Sequence, residues 1–570
     1  MTQTRSGGRI LVDNLVAQGC DRLFQVPGES FLAVLDALHD TPAIDVVTCR
    51  QEGGAAFMAC ADGALTGRPG VCFVTRGPGA TNASIGVHVA MQDSVPMLLF
   101  IGDVDRGMRD REGFQEIDLV AMFTPLAKLA LRVDDARRLP EYVARAWSTA
   151  INGRPGPVVV ALPEDMLRDE VEAVDRPRSR GYFHASDFIA IDAVVAELRA
   201  ARKPIAIVGG AGWNRASGTA FAEAAEHLAL PVACAFRRQD AIANASPIWA
   251  GNLGYGPSPA LVRRIAAADL LLVVGPRLGE ATTDGYALIT PDHPGQKLIH
   301  IHPDQAELGR VYRTDLAICA PIADFAQAFA HDLSSRREVF PEEPLPQFDG
   351  PAIHAEWLNW STPQPREGVS LDLGLCVAAM RERLAPEDTI ICNGAGNFSG
   401  WWHRYWRYGG PGTQLAPTAG AMGYGVPAAV AGALRCPDKT VVAVAGDGDF
   451  LMNGQELATA LQHGANLLVI LVDNDGYGTI RMHQERDYPR RLSGTALANP
   501  DFAALARAYG AWAETVETTA DFAPALDRAL AQSGVRLLHL KTEMEAITNS
   551  TTISALRAKA GAGAGAGAGA

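Results

Sequence analysis

The chain has 570 residues, which is too long for one hydrophobic core and predicts two to four domains. Apolar residues make up 48% and charged residues 20%, as in ordinary globular proteins. A net charge of −14 argues against nucleic acid or a membrane surface as a partner. No window of about 18 uncharged apolar residues predicts a membrane span. The nine cysteines form no C-x-x-C pair, and the start of the chain lacks a signal-peptide core, so we expect a cytoplasmic protein.

The first third of the chain alternates helix-like and strand-like segments. They are Ile10–Gln18, Leu23–Val26, Phe31–His39, Asp45–Thr48, Gly54–Thr66, Gly70–Thr75, Ala80–Gln92 and Pro96–Ile101, followed by a last strand at Pro157–Pro163. This alternation predicts an α/β fold with a mostly parallel sheet.

Two more blocks of the same kind follow. A polar linker at 169–180 precedes strands near Pro204–Gly210, Leu270–Val274 and Lys297–Ile301, and a second linker contains 342–346. We therefore predict domains at 1–168, 185–335 and 355–548, and a flexible tail at 549–570 because its end alternates Ala and Gly.

The third block contains the most informative pattern. An apolar run, Thr440–Ala445, predicts a buried strand that ends at Gly446-Asp447-Gly448. A helix-like segment, Gln455–His463, leads to a second strand that ends at Asp473-Asn474. Neighbouring parallel strands place such ends on the edge where open α/β sheets bind ligands. Carboxylate, amide and carbonyl oxygens suit Mg²⁺; the alternative is an ordinary turn with a solvated aspartate.

Gly-Asp-Gly followed some two dozen residues later by Asn resembles the metal-diphosphate motif of thiamine diphosphate (ThDP) enzymes. The chain is most similar, over about 8–545, to the acetohydroxyacid (acetolactate) synthase and pyruvate oxidase-like group of 2-oxoacid decarboxylases. The resemblance implies three doubly wound α/β domains with mostly parallel sheets: pyrimidine-binding, central and diphosphate-binding. It implies that Asp447, the Asn474 side chain and the Gly476 carbonyl bind Mg²⁺.

The same resemblance supplies a set of cofactor-binding residues. They are Glu52, Pro27, Asn82, Asn393, Gly394, Ala395, Gly396, Asn397, Gly420, Met422, Gly446, Asp447, Gly448, Asp449, Asn474, Gly476, Tyr477, Gly478, Thr479 and Ile480. Met422 matches the residue that bends the cofactor. Asn393 and Asn397 could instead cap the helix that follows. Two residues depart from the family: Asp473 stands where Asn is frequent, and Asp449 where a small Ser or Cys is frequent.

Glu52 lies at the start of a helix, where a carboxylate often acts only as a cap or a dipole partner. In the resembled family this position is the activating glutamate, which hydrogen-bonds the cofactor's pyrimidine ring. The implied role is general acid-base catalysis.

The resemblance also implies residues that border the substrate. Gly28 offers a backbone amide where an oxyanion could form, and Phe114 and Gln115 match a Phe-Gln pair supplied by the partner subunit. His483 stands where acetohydroxyacid synthases commonly carry Trp. It could donate a proton, contact the acceptor or be an ordinary exposed residue. The arginines of this segment suit a carboxylate substrate or form a solvated face with Glu485 and Asp487.

The resemblance implies a ThDP- and Mg²⁺-dependent enzyme that decarboxylates a 2-oxoacid and joins the product to a second carbonyl compound, as acetolactate synthase does. A non-ligating decarboxylase of the benzoylformate or phenylpyruvate type and a catalytically silent ThDP-binding subunit are the alternatives. Some relatives bind FAD in the central domain, but the cluster Gly209-Gly210-Ala211-Gly212 is incomplete as a dinucleotide motif. The expected partners are the small-molecule 2-oxoacid, its carbonyl acceptor and further copies of the chain, as a homodimer or homotetramer.

Overall fold

The computed structural model describes residues 4–179, 181, 188–291, 295–339 and 345–567. These residues form two compact units. The first unit combines the described part of 1–183 with 417–437 and 453–465, and the second comprises the described residues of 184–416, 438–452 and 466–570.

The first unit is built on one sheet of six parallel strands. Across the sheet the strands lie in the order Asp45–Thr48, Arg22–Gln25, Gly70–Val74, Met97–Asp103, Pro157–Pro163 and Leu129–Arg132. The three central strands are buried along their whole length, because both faces of a parallel sheet are covered by helices. The α/β alternation predicted for this region is confirmed.

Helices cover the sheet of the first unit. The α-helices are Gly7–Gln18, Leu32–His39, Glu52–Thr66, Gly77–Asp93, Leu119–Phe123, Leu139–Ile151, Glu164–Arg168, Gly425–Arg435 and Leu457–Gln462, and short 3₁₀ turns are Glu29–Phe31, Arg106–Met108, Ala136–Arg138 and Gly454–Glu456. The helices Glu52–Thr66 and Gly77–Asp93 pack so closely that a Cβ on Gly86 would lie only 2.4 Å from the Cβ of Ala56. The small residues of Glu52–Thr66 are therefore needed for this contact.

The segment 169–180, predicted as a linker, is partly structured. Glu170–Glu172 forms a short strand that pairs antiparallel with Thr4–Ser6. The linker prediction is wrong for these three residues, because a three-residue pairing leaves no apolar pattern in the sequence. Of the second predicted linker, 342–344 lie outside the described residues, and Leu345 and Pro346 have no regular structure.

The second unit contains two further sheets, each of six parallel strands. In the central sheet the order is Trp249–Asn252, Val232–Cys234, Pro204–Val208, Leu270–Val274, Lys297–His302 and Leu316–Cys319. In the last sheet it is Gln414–Leu415, Thr389–Asn393, Thr440–Gly446, Leu467–Asp473, Val535–Lys541 and Trp512–Val516. The predicted fold class, three α/β arrangements with mostly parallel sheets, is confirmed.

Helices flank both sheets of the second unit. They are Phe188–Ala200, Arg215–His227, Pro259–Ala266, Ile322–Val339, Gly350–Trp360, Leu373–Arg381, Ser399–Tyr405, Asp447–Asn453, Gly478–Asp487, Phe502–Tyr509, Thr519–Leu530 and Ile553–Gly567, with a 3₁₀ turn at Pro386–Asp388. The helix predicted at Gln455–His463 is present at Leu457–Gln462, and a further helix, Asp447–Asn453, precedes it. The segment expected to be a flexible tail contains the helix Ile553–Gly567.

The glycine cluster of the central sheet has a packing explanation. A Cβ on Gly210 would lie 2.2 Å from the carbonyl oxygen of Gly275, and Gly210 has a φ of +71°. The Trp213 indole N–H donates to the Gly209 carbonyl at 2.8 Å. Close approach of two strand-end turns therefore accounts for the glycine at position 210.

We expect Leu468→Ala to destabilise the second unit strongly. Leu468 is fully buried in a central strand, and such a truncation costs about 2–5 kcal/mol through lost burial and the cavity left behind. The half-exposed Leu358, in a helix of the same unit, is the matched control. The denaturation midpoints of Leu468→Ala and Leu358→Ala are compared with that of the wild type. Equal shifts in the two variants would contradict the expected role of the buried strand.

Candidate active site

The two strand ends predicted to form a metal site lie side by side. Strands Thr440–Gly446 and Leu467–Asp473 pair in parallel, with Gly446 opposite Val472. Asp447 and Asn474 therefore follow neighbouring strands at the same edge of the sheet. The Gly476 amide donates to Asp447 Oδ2 at 2.9 Å, which joins the two turns directly.

The buried position of Asp447 is electrostatically costly. Burial raises the pKa of Asp447 to about 6, although hydrogen bonds from Asn499 and backbone amides oppose that shift. A buried carboxylate is stabilised by a bound cation, so its surroundings fit a divalent metal. The described residues contain no cluster of three or more His, Cys, Asp or Glu side chains that could hold a metal.

Asp473, the first departure from the family pattern, has its own partners. Its Oδ2 lies 2.8 Å from His539 Nε2, and its Oδ1 accepts from the Asp475 amide at 3.1 Å and from Asn499 Nδ2 at 2.8 Å. Burial opposes ionisation of Asp473, but these hydrogen bonds outweigh it and hold the pKa below its usual value. Asp473 is therefore an ionised, internally paired carboxylate.

The turn at 393–397 is tied to the helix Gly478–Asp487. The Asn397 amide donates to Thr479 Oγ1 at 3.0 Å, and the Thr479 hydroxyl donates back to Asn397 Oδ1 at 3.0 Å. Neither asparagine caps the following helix, whose first turn has no side-chain cap. The capping alternative is wrong because Asn393 Nδ2 instead donates to the Gly394 carbonyl at 2.8 Å.

Acceptor oxygens are buried at this turn. Asn393 Oδ1 is a buried oxygen without a hydrogen-bond partner among the described residues. The Asp449 carboxylate accepts from the Ala395 amide at 3.1 Å, and a Cβ on Gly394 would lie 2.1 Å from Asp449 Oδ1. The Asp449 carboxylate is therefore held by the backbone of this turn and takes up the Ala395 amide.

Glycines on the metal side leave no room for side chains. A Cβ on Gly448 would lie 2.6 Å from the Tyr477 ring, and one on Gly476 would lie 2.5 Å from the Thr495 carbonyl oxygen. A Cβ on Gly478 would lie 2.9 Å from Asn474 Nδ2. These backbones pack closely around the half-buried Asn474, which suits a ligand bound through backbone and amide groups.

In the first unit, Glu52 begins the helix Glu52–Thr66 but does not cap it. The Gln51 side chain accepts from the Gly54 amide at 2.9 Å and is the cap. Glu52 Oε2 instead accepts from Asn82 Nδ2 at 2.9 Å. The capping alternative for Glu52 is therefore wrong, and its carboxylate is oriented by a residue that is also predicted to bind the cofactor.

Glu456, which the sequence did not single out, holds the turn before Glu52. Its fully buried carboxylate accepts from the Gln51 amide at 3.0 Å, from the Arg50 amide at 3.2 Å and from the Thr459 hydroxyl at 2.6 Å. Burial raises the pKa of Glu456 against these bonds. No local pattern signals this role, because the contact joins residues about 400 positions apart.

The Pro27-Gly28 turn packs against the strand end at Thr75. A Cβ on Gly28 would lie 2.5 Å from the Thr75 Cβ, so only glycine fits. Glu29, which adds charge here, pairs with Arg76 at 3.1 Å, and Arg76 also pairs with Glu164. The charge at Glu29 is thus partly neutralised within the turn.

Phe114 and Gln115 lie on an exposed loop. Phe114 is 72% exposed, and Gln115 has a φ of +64° while its carbonyl accepts from the Gly77 amide at 2.9 Å. A large apolar ring this exposed is suited to contact with another surface. Met422 is half-buried, and the following Gly423, with a φ of +79°, accepts from Asn453 Nδ2 at 3.1 Å.

The helix Gly478–Asp487 carries His483 half-buried. The arginines near it are largely paired. Arg481 bonds Glu485 at 3.3 Å, and Arg486 bonds Asp487 at 2.7 Å. Glu485 is fully buried, and its bonds to Arg557, 2.8 Å at Nε, hold its pKa near 2. For Arg481 and Arg486 the paired-face interpretation is therefore favoured.

The predicted site residues divide between the units. The first unit contains Pro27, Gly28, Glu52, Asn82, Phe114, Gln115, Gly420 and Met422. The second contains Asn393, Gly394, Ala395, Gly396, Asn397, Gly446, Asp447, Gly448, Asp449, Asn474, Gly476, Tyr477, Gly478, Thr479, Ile480 and His483. In the first unit Asn82 bonds Glu52, and in the second the Gly476 amide bonds Asp447 and Asn397 bonds Thr479. Sequence reasoning missed Asn499, His539 and Glu456.

Comparison with known proteins identifies the class. Three family profiles match the chain: the thiamine pyrophosphate enzyme N-terminal TPP binding domain at 5–122, the central domain at 191–329 and the C-terminal TPP binding domain at 394–540. They fall within the three predicted domains, whose own boundaries stay a prediction. The protein is a thiamine diphosphate-dependent enzyme.

The relatives narrow the class. The acetolactate synthase large subunit of Parasynechococcus marenigrum is 32% identical over 534 residues, covering 89% of this chain and 83% of the relative. The large subunit of Escherichia coli acetolactate synthase isozyme 2 is 29% identical, over 94% of this chain and 96% of the relative. The acetolactate synthase large subunit of Corynebacterium glutamicum is 30% identical, over 92% of this chain and 84% of the relative. The chain belongs to the acetohydroxyacid synthase group of thiamine diphosphate enzymes.

Among its described residues, no helix is long and apolar enough to cross a membrane.

Metal-free protein should lose stability as the pH rises, because of Asp447. A carboxyl whose pKa rises from 3.8 to about 6 on folding contributes stability that is complete below pH 3.8 and lost as the pH passes 6. The loss by pH 8 is at most ~3 kcal/mol. Asp447→Asn should remove this dependence, as measured by unfolding midpoints from pH 4 to 8 in a chelator. Asp438→Asn, at an exposed position, is the control, and unaltered pH dependence in Asp447→Asn would contradict the assignment.

Removing the Glu456 carboxylate should loosen the turn that precedes Glu52. In Glu456→Ala the amides of Arg50 and Gln51 lose their acceptor, so their hydrogen exchange should accelerate and stability should fall by about 1–3 kcal/mol. Glu456→Gln keeps an acceptor oxygen and should show a smaller effect. Glu141→Ala, a surface change, is the control; unchanged exchange at Arg50 and Gln51 would exclude this role for Glu456.

Proposed function

We propose that the protein uses ThDP and Mg²⁺ to decarboxylate a 2-oxoacid and to join the product to a second carbonyl compound. The observation that carries the proposal is the hydrogen bond from the Gly476 amide to Asp447 Oδ2, which brings the two motif turns together. The names of the acetolactate synthase relatives support carboligation over simple decarboxylation.

The residues of the second unit fit a metal-bound diphosphate. Asp447, the Asn474 side chain and the Gly476 carbonyl would bind Mg²⁺, which prefers oxygen ligands. The 393–397 turn and Thr479 would lie against the diphosphate. The Ala395 and Asn397 amides and the Thr479 hydroxyl bond Asp449, Thr479 and Asn397, and would exchange these partners for diphosphate oxygens. The buried Asp447 carboxylate, joined to the second turn by the Gly476 amide, supports the placement of the metal.

When bound, thiamine diphosphate supplies a nucleophilic carbon and an electron sink for loss of CO₂. Glu52 would exchange a proton with the pyrimidine ring through its carboxylate. Asn82 holds Glu52 Oε2, and Glu456 and Gln51 fix the turn before it. The Gly28 amide would bind the oxyanion that develops on the substrate.

A second copy of the chain would complete the site. In the resembled family the pyrimidine side of one chain meets the diphosphate side of another, and Phe114 and Gln115 come from the partner. The strong exposure of the Phe114 ring supports its burial against another copy in a homodimer or homotetramer.

The first test is purified protein with ThDP, Mg²⁺ and pyruvate, with CO₂, acetolactate and acetaldehyde measured separately. Acetolactate would establish carboligation. Acetaldehyde alone would favour a simple decarboxylase. Bound ThDP without pyruvate turnover would reject the acetolactate assignment and direct the assay to larger or aromatic 2-oxoacids.

Glu52→Gln should lower turnover about 10²- to 10⁴-fold, because a positioned general acid-base group contributes that much. ThDP should still bind, since the diphosphate residues are unchanged. Glu141→Gln, which alters a surface carboxylate, should retain full activity. Unchanged turnover in Glu52→Gln would exclude the activating role, whereas a wild type that binds ThDP and turns over no 2-oxoacid would favour a catalytically silent subunit.

A further inference from the structure

Asn499 lies between the two buried carboxylates of the motif. Its Nδ2 donates to Asp447 Oδ2 at 2.7 Å and to Asp473 Oδ1 at 2.8 Å. One side-chain amide nitrogen carries two hydrogens, so both bonds can form together. A neutral donor shared in this way offsets the repulsion between two like charges in a buried setting.

Backbone pairing places Asn499 at this point. The Leu497 amide donates to the Asp475 carbonyl at 3.0 Å, and the Tyr477 amide donates to the Thr495 carbonyl at 3.0 Å. The segment 495–497 therefore runs alongside the turn that carries Gly476. The position of the Asn499 amide is coupled to the geometry of the metal turn.

The second oxygen of the Asp473 carboxylate is also held, by His539. His539, which is 1% exposed, lies 2.8 Å from Asp473 Oδ2, and its ring packs edge-to-face on Phe502 at 5.3 Å. The chain His539–Asp473–Asn499–Asp447 is thus continuous. Each member restricts the rotation of the next.

The consequence falls on the Asp447 carboxylate. Asn499 and the Gly476 amide both donate to Oδ2, whereas Oδ1 accepts from neither. Two donors on one oxygen set the rotation of the carboxylate and thereby orient Oδ1. Groups that orient a metal ligand in this way influence metal affinity strongly.

We infer that Asn499 is a positioning residue for the metal ligand Asp447, and that Asp473 and His539 hold it in place. The inference rests on the proposed function, because Asp447 is a ligand only if the protein binds a divalent cation there. It gives a role to Asp473, the residue that departs from the family pattern: its charge is the acceptor for the second Asn499 hydrogen.

The test compares Mn²⁺ binding, followed by electron paramagnetic resonance in the presence of thiamine diphosphate, in full-length wild type and Asn499→Ala. We expect about 10- to 100-fold weaker Mn²⁺ binding, the usual effect of losing such a group. Asn466→Ala is the matched control, since Asn466 also makes two hydrogen bonds, from the Gly534 amide and from Arg536, and it lies at the opposite end of the same strand pair. It should leave Mn²⁺ binding unchanged.

A second substitution tests the same contact more mildly. If Asn499→Ala does not fold, Asn499→Ser keeps one donor and should weaken binding to a smaller extent.

Wild-type affinity in Asn499→Ala or Asn499→Ser would overturn the inference, and so would equal weakening in Asn466→Ala. Those results leave the proposed function intact, because the wild type still binds Mn²⁺. A wild type that binds no Mn²⁺ with thiamine diphosphate would overturn both.

Discussion

The register of two parallel strands is the constraint on which the metal side of the site depends. Thr440–Gly446 and Leu467–Asp473 are buried on both faces and cannot shift without exposing apolar side chains or breaking the ladder. Their fixed register places Asp447 beside Gly476, and the hydrogen bond from the Gly476 amide to Asp447 Oδ2 joins the two turns.

Two buried carboxylates so close together are tolerated because their environments differ. Burial dominates at Asp447 and raises its pKa, whereas His539, Asn499 and a backbone amide outweigh burial at Asp473 and lower its pKa. The charge of Asp473 is thus stabilised by partners within the protein. The charge of Asp447 is stabilised less, so its pKa is raised. A cation at this edge would be attracted chiefly by Asp447, so the Asp at position 473 is compatible with the site.

The sequence was sufficient for features carried by local patterns. Uninterrupted apolar runs predicted the strands, including Pro157–Pro163 and Leu270–Val274 at their observed bounds, and the glycines at their ends marked the turns. Residues such as Glu456, Asn499 and His539 could not be predicted, because each acts on a turn far away in sequence and each lies in an ordinary helix, loop or strand. The short strand Glu170–Glu172 was missed because the strand with which it pairs, Thr4–Ser6, is more than 160 residues away in sequence.

The departures from the family pattern are distributed unevenly. At the metal and diphosphate turns, Asp473 and Asp449 are compensated by internal bonds to His539 and the Ala395 amide. Beside Gly28, the charge of Glu29 is only partly compensated by Arg76, at 3.1 Å. A substitution with an internal partner preserves a common cofactor, whereas one that leaves a polar group facing outward alters what can bind beside it. On this argument the aspartates at positions 473 and 449 are compatible with the thiamine diphosphate cofactor of the family.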